Sequence, residues 1–292
     1  ILCSYFTSAQ LTAIKCGKLI DGKNEQALLN KAILIEGNMI KDIVDQSAIP
    51  RNATVIDLNN KTVLPGLIDC HTHVLLQGDI TSEDYNVQLL KESIPYRTLR
   101  ASVSCRIALM NGFTTIRDLE TEGAMYADVD LKKAIINNVI PGPRMFVSTR
   151  AINTTGHYAI GNSEYSWELQ MPKGIQEITG ADEARKAVRE QISYGADWIK
   201  IYADRGYYRL PDSSYRSRVN FTKAEIDAIA DETVGSGKFL AAHAVTRDGI
   251  IYFLNAGART IEHGFAMDDE CMERMVKKNA YSCPTATVND YV

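Results

Sequence analysis

The residues in this sequence best suited to binding a metal ion are its five histidines. They are His71, His73, His157, His243 and His263. Each lies in or just after a segment that is predicted to be a strand, and none lies in a predicted helix. In a strand, His71 and His73 would face the same way with their Cα atoms about 6.6 Å apart. That spacing lets two imidazoles bind one cation, and the preceding residues PGLID make the pattern more specific.

A single lysine, Lys200, interrupts the otherwise apolar strand segment WIKIY. A buried ammonium is costly unless it is paired or neutralised, and burial lowers the pKa of a lysine. The neutral amine can react with carbon dioxide, and the resulting carbamate has two oxygens that could bridge two cations. The alternative is a structural lysine paired with a carboxylate such as Asp118.

Two more histidines end the next two predicted strands. His243 lies in AAHA and His263 in IEHG. Each alone would more often be a structural histidine than a ligand. Together with His71, His73 and Lys200, however, they favour a metal centre, because barrel enzymes carry their chemistry at the carboxyl ends of strands.

The elements that must position these residues alternate between strand and helix from Val63 onward. This alternation is typical of βαβ units and a parallel sheet. Seven segments fit strands: 63–74, 113–119, 144–150, 197–203, 239–245, 259–264 and 280–288. Residues 181–195 and 222–237 fit amphipathic helices, the second with Thr222 as N-cap and Glu225 three residues later. The sequence therefore predicts an α/β fold, a (β/α)8 TIM-like barrel over residues 63–292, with its eighth strand expected beyond Val292.

Residues 11–62 read as short strands separated by turns, among them a hairpin-like break at Gly37-Asn38. We expect a small β domain here, part of a composite β-sandwich. Residues 1–10 are apolar and then small, and Thr7-Ser8-Ala9 resembles a signal-peptidase site. The chain begins with Ile1, so we interpret it as a fragment with a signal-peptide remnant. An exported protein is expected, a cytoplasmic one being the alternative.

The composition limits the partners. The net charge is −4 and 23% of the residues are charged, which gives no indication of a nucleic-acid partner. No apolar run reaches the roughly 18 residues of a membrane span. The six cysteines match neither a zinc knuckle nor a disulfide scaffold. We expect a small-molecule substrate, and a homo-oligomer is compatible with the sequence.

At this point the chain resembles the amidohydrolase superfamily, and most closely its prolidase-like (Xaa-Pro dipeptidase) and imidazolonepropionase-like branch. PGLIDCHTH looks like the first-strand motif of that superfamily, WIKIYAD like its lysine segment, and AAHA and TIEHG like its later histidine motifs. The likeness runs from about Lys15 to the end of the chain. TTIRDLET and the Gly156-His157 pair fit the same branch.

The resemblance implies two divalent metal ions, with zinc as the default. His71 and His73 would bind one ion, His243 and His263 the other, and a carboxylated Lys200 would bridge them. A metal-bound hydroxide would then attack an amide or peptide-like C–N bond. His157 would lie near the developing oxyanion and contact the substrate.

Two departures from the family pattern qualify these expectations. The family carries a metal-binding aspartate after strand eight, and Asp290, which follows strand seven, is not a convincing substitute. We therefore expect the fragment itself to be inactive. Val245 stands where the resemblance to prolidase-like members implies a tyrosine near the substrate carboxylate. A dipeptide substrate is correspondingly less favoured.

The long segment 204–220 after the lysine strand is rich in Arg and Tyr and should lie over the catalytic mouth. A basic, aromatic lid would suit a substrate with a carboxylate and an apolar body, and a solvated loop is the alternative. Arg205 in this segment and Tyr202 just before it are candidate substrate-binding residues, although Tyr202 could equally be part of the core.

Other functions remain open at this stage. A mononuclear imidazolonepropionase-like or deaminase-like hydrolase would generally lack the lysine bridge. A lactonase or triesterase could use a similar metal pair. A non-catalytic barrel is the alternative of a different class.

Overall fold

The computed structural model describes residues 10–76, 82–157, 165–204, 208–213 and 215–287. The chain divides into two compact units, Ile1–Gly66 and Leu67–Val292. The proposed export segment and Cys3 lie outside the described residues, as do Arg205 and Asp290. Among the described helices, none has the length and apolar character needed to cross a membrane.

The smaller unit is built on a four-stranded sheet. Its strands are β1 (Leu11–Leu19), β2 (Leu28–Glu36), β3 (Met39–Asp45) and β4 (Thr54–Val63), in the order β3-β2-β1-β4. The first three strands pair antiparallel, and β4 pairs parallel to β1. Gly37, with φ +64°, makes the predicted turn between β2 and β3. Gly17 lies where the register between β1 and β4 shifts, and a Cβ there would meet Asn59 O at 2.0 Å, so only glycine fits.

The larger unit contains eleven described strands, four of which were not predicted from the sequence. They are β5 (Leu67–Thr72), β6 (Phe113–Asp118), β7 (Arg144–Val147), β8 (Ile152–Thr154), β9 (Gln176–Ile178), β10 (Trp198–Tyr202), β11 (Tyr208–Arg209), β12 (Tyr215–Arg216), β13 (Phe239–Ala244), β14 (Thr260–His263) and β15 (Tyr281–Cys283). Strands β5-β6-β7 form one parallel sheet. Strands β15-β14-β13-β10-β8-β9 form another, also parallel.

The third predicted strand, 144–150, contains only β7, which pairs with β6. The chain then continues into β8, which lies beyond the predicted range and pairs with β10 in the other sheet. The break coincides with Thr149, whose φ is +60°. Over the described residues the strands form two parallel sheets and not a closed barrel. The α/β class with parallel strands is confirmed, and barrel closure stays a prediction.

Helices separate the strands, as predicted. They are α1 (Ser82–Lys91), α2 (Ile94–Met110), α3 (Ala127–Ile136), α4 (Ala181–Tyr194), α5 (Lys223–Gly235), α6 (Arg247–Ala256) and α7 (Asp269–Lys278); one 3-10 turn, Gln46–Ala48, lies in the smaller unit. The two helices predicted from periodicity correspond to α4 and α5. The Thr222 side chain accepts from Glu225 N–H, and the Glu225 side chain accepts from Thr222 N–H, which completes the expected capping box.

Strand β10 buries both faces, as expected of a parallel strand covered by helices. In β10, Ile199 and Ile201 belong to the main hydrophobic cluster, which also contains Val188 of α4 and Ile229 of α5. Because side chains alternate along a strand, Lys200 and Tyr202 project from the opposite face of β10. Both are nevertheless buried, at 1% and 6% exposure. That opposite face, at the carboxyl ends of the strands, holds the polar residues.

Candidate metal centre

His71 and His73 leave the carboxyl end of β5 with their rings together. Their Nε2 atoms lie 3.2 Å apart. His71 Nδ1 lies 2.8 Å from Glu262 Oε2, and His73 Nδ1 lies 3.3 Å from the carbonyl oxygen of Glu120. Each Nδ1 faces an acceptor and therefore carries the proton, so each Nε2 presents a lone pair to the other. Two lone pairs at this distance repel unless a cation lies against both.

The other two strand-end histidines join the same cluster. The ring of His263 lies 5.0 Å from that of His71 and 4.4 Å from that of His243, measured between centroids. His263 ends β14 with φ +73°, a left-handed conformation that is rare outside glycine. Its Nδ1 lies 2.7 Å from Thr285 Oγ1. The structure thus brings together His71, His73, His243 and His263, which come from three separate strands.

Glu262 fixes the orientation of His71. Its Oε2 accepts from His71 Nδ1, and its Oε1 accepts from Arg117 Nη2 at 2.9 Å and Thr260 Oγ1 at 2.5 Å. Arg117 is held in turn by Cys70 O at 2.7 Å and by the ring of Trp198, 4.5 Å from its guanidinium carbon. A carboxylate behind a histidine sets its tautomer and raises its basicity as a ligand.

Lys200 is buried, as its apolar strand predicts. Burial lowers its pKa below the ordinary lysine value, and the charges of Glu120, Glu262 and Glu122 partly oppose that shift. Burial also holds the pKa of His71 well below its usual value, with the positive charge of Lys200 as the next cause. The pKa of His73 is lowered by burial as well. These shifts favour neutral imidazoles and a neutral amine, which are the protonation states that bind metal or react with carbon dioxide.

The carboxylate named in the structural alternative, Asp118, makes other contacts. Its Oδ1 accepts from Val74 N–H at 2.8 Å and from Thr72 Oγ1 at 3.1 Å. It therefore ties the end of β5 to the end of β6. The glutamates whose charges act most on Lys200 follow β6 and end β14 instead.

Two carboxylates beside the histidines were not predicted from the sequence. Glu120 and Glu122 follow β6, and both are buried. The Tyr202 hydroxyl donates to Glu120 Oε2, and the Tyr85 hydroxyl donates to Glu122 Oε2 at 2.9 Å. Burial raises the pKa of Glu120 well above its usual value, and the neighbouring charge of Glu122 raises it further. The sequence signal was the Glu-x-Glu spacing directly after a strand, which places two carboxylates at its carboxyl end.

Asp204 is a further polar residue that was missed, and it positions the loops. Its Oδ1 accepts from Val245 N–H at 2.8 Å, and its Oδ2 accepts from Thr246 N–H at 2.9 Å and Thr246 Oγ1 at 2.6 Å. The loop after β10 is thereby tied to the loop after β13. A Cβ on Gly249 would lie 2.4 Å from Asp204 Oδ2, so the first turn of α6 packs directly on this carboxylate.

The three candidate substrate-binding residues do not form a cluster of the kind that the histidines form. His157 is exposed in the loop after β8, and its Nδ1 lies 2.9 Å from Thr154 Oγ1. Tyr202 is buried, its ring lies 4.9 Å from that of His243, and its hydroxyl is engaged by Glu120. Arg205 lies outside the described residues. Substrate contact by these three residues stays a prediction.

The donor set fits a divalent metal. With Zn–N bonds of about 2.0–2.1 Å, an Nε2–Nε2 separation of 3.2 Å corresponds to a ligand–metal–ligand angle of about 100°, close to tetrahedral. Four imidazoles and a buried lysine give nitrogen ligands and, after carboxylation, oxygen ligands. This is a set that zinc accepts and that manganese, cobalt or iron can also use.

The chain is similar to known proteins along most of its length. The model of the amidohydrolase family matches residues 62–290. The chain is 29% identical over 298 residues to ochratoxinase of Aspergillus niger, which covers 96% of this chain and 60% of that protein. It is 28% identical over 260 residues to imidazolonepropionase of Bdellovibrio bacteriovorus, which covers 80% of this chain and 59% of that protein. The chain thus spans about 60% of the length of these curated relatives.

A solved structure of a Xaa-Pro dipeptidase with methionine bound in its active site has the same fold. It superposes with a TM-score of 0.84 at 30% identity, covering 97% of this chain and 68% of that one. The match extends over both units of the chain and includes every strand that carries a histidine of the cluster. The chain belongs to the amidohydrolase family.

Proposed function

We propose that this chain carries the binuclear metal centre of a hydrolase that cleaves amide or peptide-like C–N bonds. The observation that carries the proposal is the convergence of four imidazoles beside the buried Lys200. Two of these imidazoles present lone pairs to each other at 3.2 Å. A cation bound between them would satisfy both lone pairs.

In this proposal His71 and His73 hold one ion, His243 and His263 hold the other, and a carboxylated Lys200 lies between them. The metals, when bound, lower the proton affinity of water and polarise the substrate carbonyl. Glu262 keeps the Nδ1 proton on His71 and leaves Nε2 available. The buried environment of Lys200 favours the neutral amine, whose lone pair can attack carbon dioxide to give the carbamate with loss of a proton.

Two proteins similar to this chain suggest a class of substrate. Ochratoxinase and the Xaa-Pro dipeptidase are both similar to this chain along nearly its whole length. We propose a substrate with an amide bond next to a carboxylate, such as an acylated amino acid. In this proposal the exposed side chains of Tyr208 and Arg209 on the short β11–β12 hairpin would contribute to attracting such a carboxylate. His157 is the candidate donor to the oxyanion.

A mononuclear hydrolase is the second candidate, because the imidazolonepropionase relative matches 80% of the chain. It differs in the role of Lys200, which would then be structural. The two candidates therefore predict different metal contents for the same protein.

The test is the metal content of the chain after growth with zinc and bicarbonate, measured by elemental analysis on wild type and on Lys200→Ala. We expect about two equivalents in the wild type and about one in the variant, because the bridge is lost. The measurement does not depend on turnover by this chain. Equal metal contents in the two proteins would contradict the bridging role. One equivalent in both would favour the mononuclear candidate, and none in either would favour a non-catalytic barrel.

Lys200→Met is the matched control, since it removes the amine but retains much of the side-chain volume. If both variants lose one equivalent while circular dichroism shows them folded, the loss follows from the missing amine and not from a cavity. Panels of acyl amino acids, dipeptides, esters and lactones then separate amide hydrolysis from lactonase activity.

A further inference from the structure

We propose that the carboxylates of Glu120 and Glu122 form a cation position of their own, next to His73 and beside the four-histidine cluster. It would take a hard divalent cation such as Mn²⁺ or Mg²⁺. The inference rests on the proposed function in one respect, since it adds a position to the same metal centre.

The first argument is proximity under burial. Ligand atoms of His73, Glu120 and Glu122 lie within 4.8 Å of one another. Glu120 is 0% exposed and Glu122 is 6% exposed. Two carboxylates this close repel in a medium of low dielectric, so a buried pair holds either a shared proton or a cation.

The second argument comes from the hydrogen bonds of Glu120. Tyr202 donates to Oε2, whereas Oε1 is buried and has no hydrogen-bond partner among the described residues. A buried acceptor without a donor costs about 1–3 kcal/mol, and more when it is charged. A bound cation would satisfy this oxygen.

The third argument is the parallel arrangement of Glu122. Its Oε2 accepts from the Tyr85 hydroxyl at 2.9 Å, and its Oε1 lies 4.0 Å from His73 Nδ1. Each of the two glutamates thus accepts a hydrogen bond from a different tyrosine hydroxyl, Glu120 from Tyr202 and Glu122 from Tyr85. The imidazole of His73 stands between the two sites, with Nε2 towards His71 and Nδ1 towards Glu122.

The fourth argument is the backbone that presents these groups. Glu122 has φ +48°, a left-handed conformation that costs a non-glycine residue about 1–2 kcal/mol. Arg97, which is 2% exposed, holds it there: Nη2 donates to Glu122 O at 2.8 Å and to Thr121 O at 3.2 Å. Its Nε donates to Leu75 O at 3.0 Å, which ties the same loop to the end of the His71–His73 segment. Strained backbone conformations that the surrounding structure holds in place are found most often at functional sites.

The number of negative charges near the pair is a further consideration. Burial and the charge of Glu122 raise the pKa of Glu120, and the positive charge of Lys200 opposes that rise. Carboxylation of Lys200 would replace that positive charge with a negative one. Three anionic groups would then share one buried space, and oxygen donors of this type select hard cations such as Mn²⁺ and Mg²⁺.

The test is a titration of the zinc-loaded chain with Mn²⁺, followed through the electron paramagnetic resonance signal of free Mn²⁺. We expect the wild type to bind one Mn²⁺ that Glu120→Gln binds at least tenfold more weakly. Glu273→Gln, which removes an exposed carboxylate from α7, is the matched control and should bind Mn²⁺ as the wild type does. Equal stoichiometry and affinity in wild type and Glu120→Gln would overturn the proposal, as would a zinc-loaded wild type that binds no Mn²⁺.

A second measurement needs no variant and covers the case in which Glu120→Gln fails to fold. Pulsed electron paramagnetic resonance counts the nitrogens coupled to bound Mn²⁺. A site formed by the two carboxylates predicts no directly coordinated nitrogen, and two or more coordinated nitrogens on every bound Mn²⁺ would overturn it.

His243→Ala separates this proposal from the proposed function. It should lower the zinc content and leave the carboxylate-bound Mn²⁺ in place. Loss of the Mn²⁺ site in His243→Ala would overturn the separate position without touching the binuclear assignment. Conversely, a Lys200→Ala variant with unchanged zinc would refute the bridge while the Mn²⁺ result stood.

Discussion

At the scale of single residues, the centre depends on groups that orient the histidines as much as on the histidines themselves. Glu262 accepts from His71, Arg117 and Thr260 at once, so its carboxylate is fully engaged in holding one imidazole. The positions of the histidines and of Lys200 could be predicted from sequence because their types and spacing are unusual. Glu120, Glu122 and Asp204 could not, since carboxylates after strands are common and nothing in the pattern marks these as buried.

The role of Glu262 leads to a prediction about metal affinity. Glu262→Gln keeps the shape of the side chain but removes the charge that stabilises the Nδ1 proton of His71. We expect zinc affinity to fall about 10- to 100-fold, as is typical when an orienting partner of a ligand is lost. Competition with a zinc-binding dye measures it. Glu232→Gln on α5 is the control, and an equal loss in both variants would contradict the orienting role.

Asp128, in the first turn of α3, gives a prediction about pH. Burial raises its pKa to about 7, although Thr149 N–H and Val129 N–H donate to it. The unfolded chain has an ordinary aspartate, so between pH 4 and 7 the folded state binds more protons than the unfolded state. The contribution of this group to the free energy of unfolding therefore falls as pH rises through that window, by up to about 4 kcal/mol, and is constant above it.

The measurement is urea unfolding at several pH values from 5 to 8. Asp128→Asn cannot ionise, so wild-type stability minus variant stability should decrease as pH rises towards 7. Asp130→Asn, on the exposed side of the same helix, should follow the wild type at every pH. A difference between wild type and Asp128→Asn that does not vary with pH would refute the assignment.

At the scale of elements, Asp204 connects three pieces of structure: the end of β10, the loop after β13 and the start of α6. The seven strands and the two periodic helices were predictable because each carries its own local pattern. The change of sheet between β7 and β8 was not predictable, because it depends on contacts between distant segments. Ser148 N–H donates to Asp118 O, and Thr121 N–H donates to Thr149 O. No local pattern records such pairings.

The close packing of α6 on Asp204 can be tested with one methyl group. In Gly249→Ala the new Cβ would lie 2.4 Å from Asp204 Oδ2, so the carboxylate must move away from Val245 and Thr246. We expect a loss of about 1–3 kcal/mol in the free energy of unfolding, as in other overpacked sites. Chemical denaturation measures it.

Gly235→Ala at the end of α5 is the matched control, because nothing lies within 4 Å of its Cβ position. That change should be neutral or stabilising by up to about 1 kcal/mol. If Gly249→Ala behaved like Gly235→Ala, α6 would not depend on its contact with Asp204.

At the scale of the whole molecule, the candidate ligands all belong to the larger unit, Leu67–Val292. Its strands bring together residues almost two hundred positions apart, such as His71 and Glu262. The fold class could be predicted because strand and helix alternate along the chain. The arrangement of two sheets could not, since it is decided by pairing between segments and not within them.

Metal removal should therefore destabilise the larger unit. At a free metal concentration 100 times the dissociation constant, one bound ion adds about 2.7 kcal/mol, which is roughly 5–10 °C in Tm for a unit of this size. Both tryptophans, Trp167 and Trp198, lie in this unit, so their fluorescence follows its unfolding. We expect a chelator to lower the Tm of the wild type by this amount. An unchanged Tm would contradict a metal-stabilised fold.

The left-handed backbone at His263 has a consequence for how this site can change over generations. In a regular strand, neighbouring side chains point to opposite faces, yet Glu262 and His263 both contact His71. The positive φ at His263 makes this possible, and one short stretch of gene thereby encodes both a candidate ligand and the group that orients another. A single inserted or deleted codon there would displace both groups together. We therefore expect Glu262 and His263 to be retained or lost together, even in a descendant enzyme that acts on a different substrate.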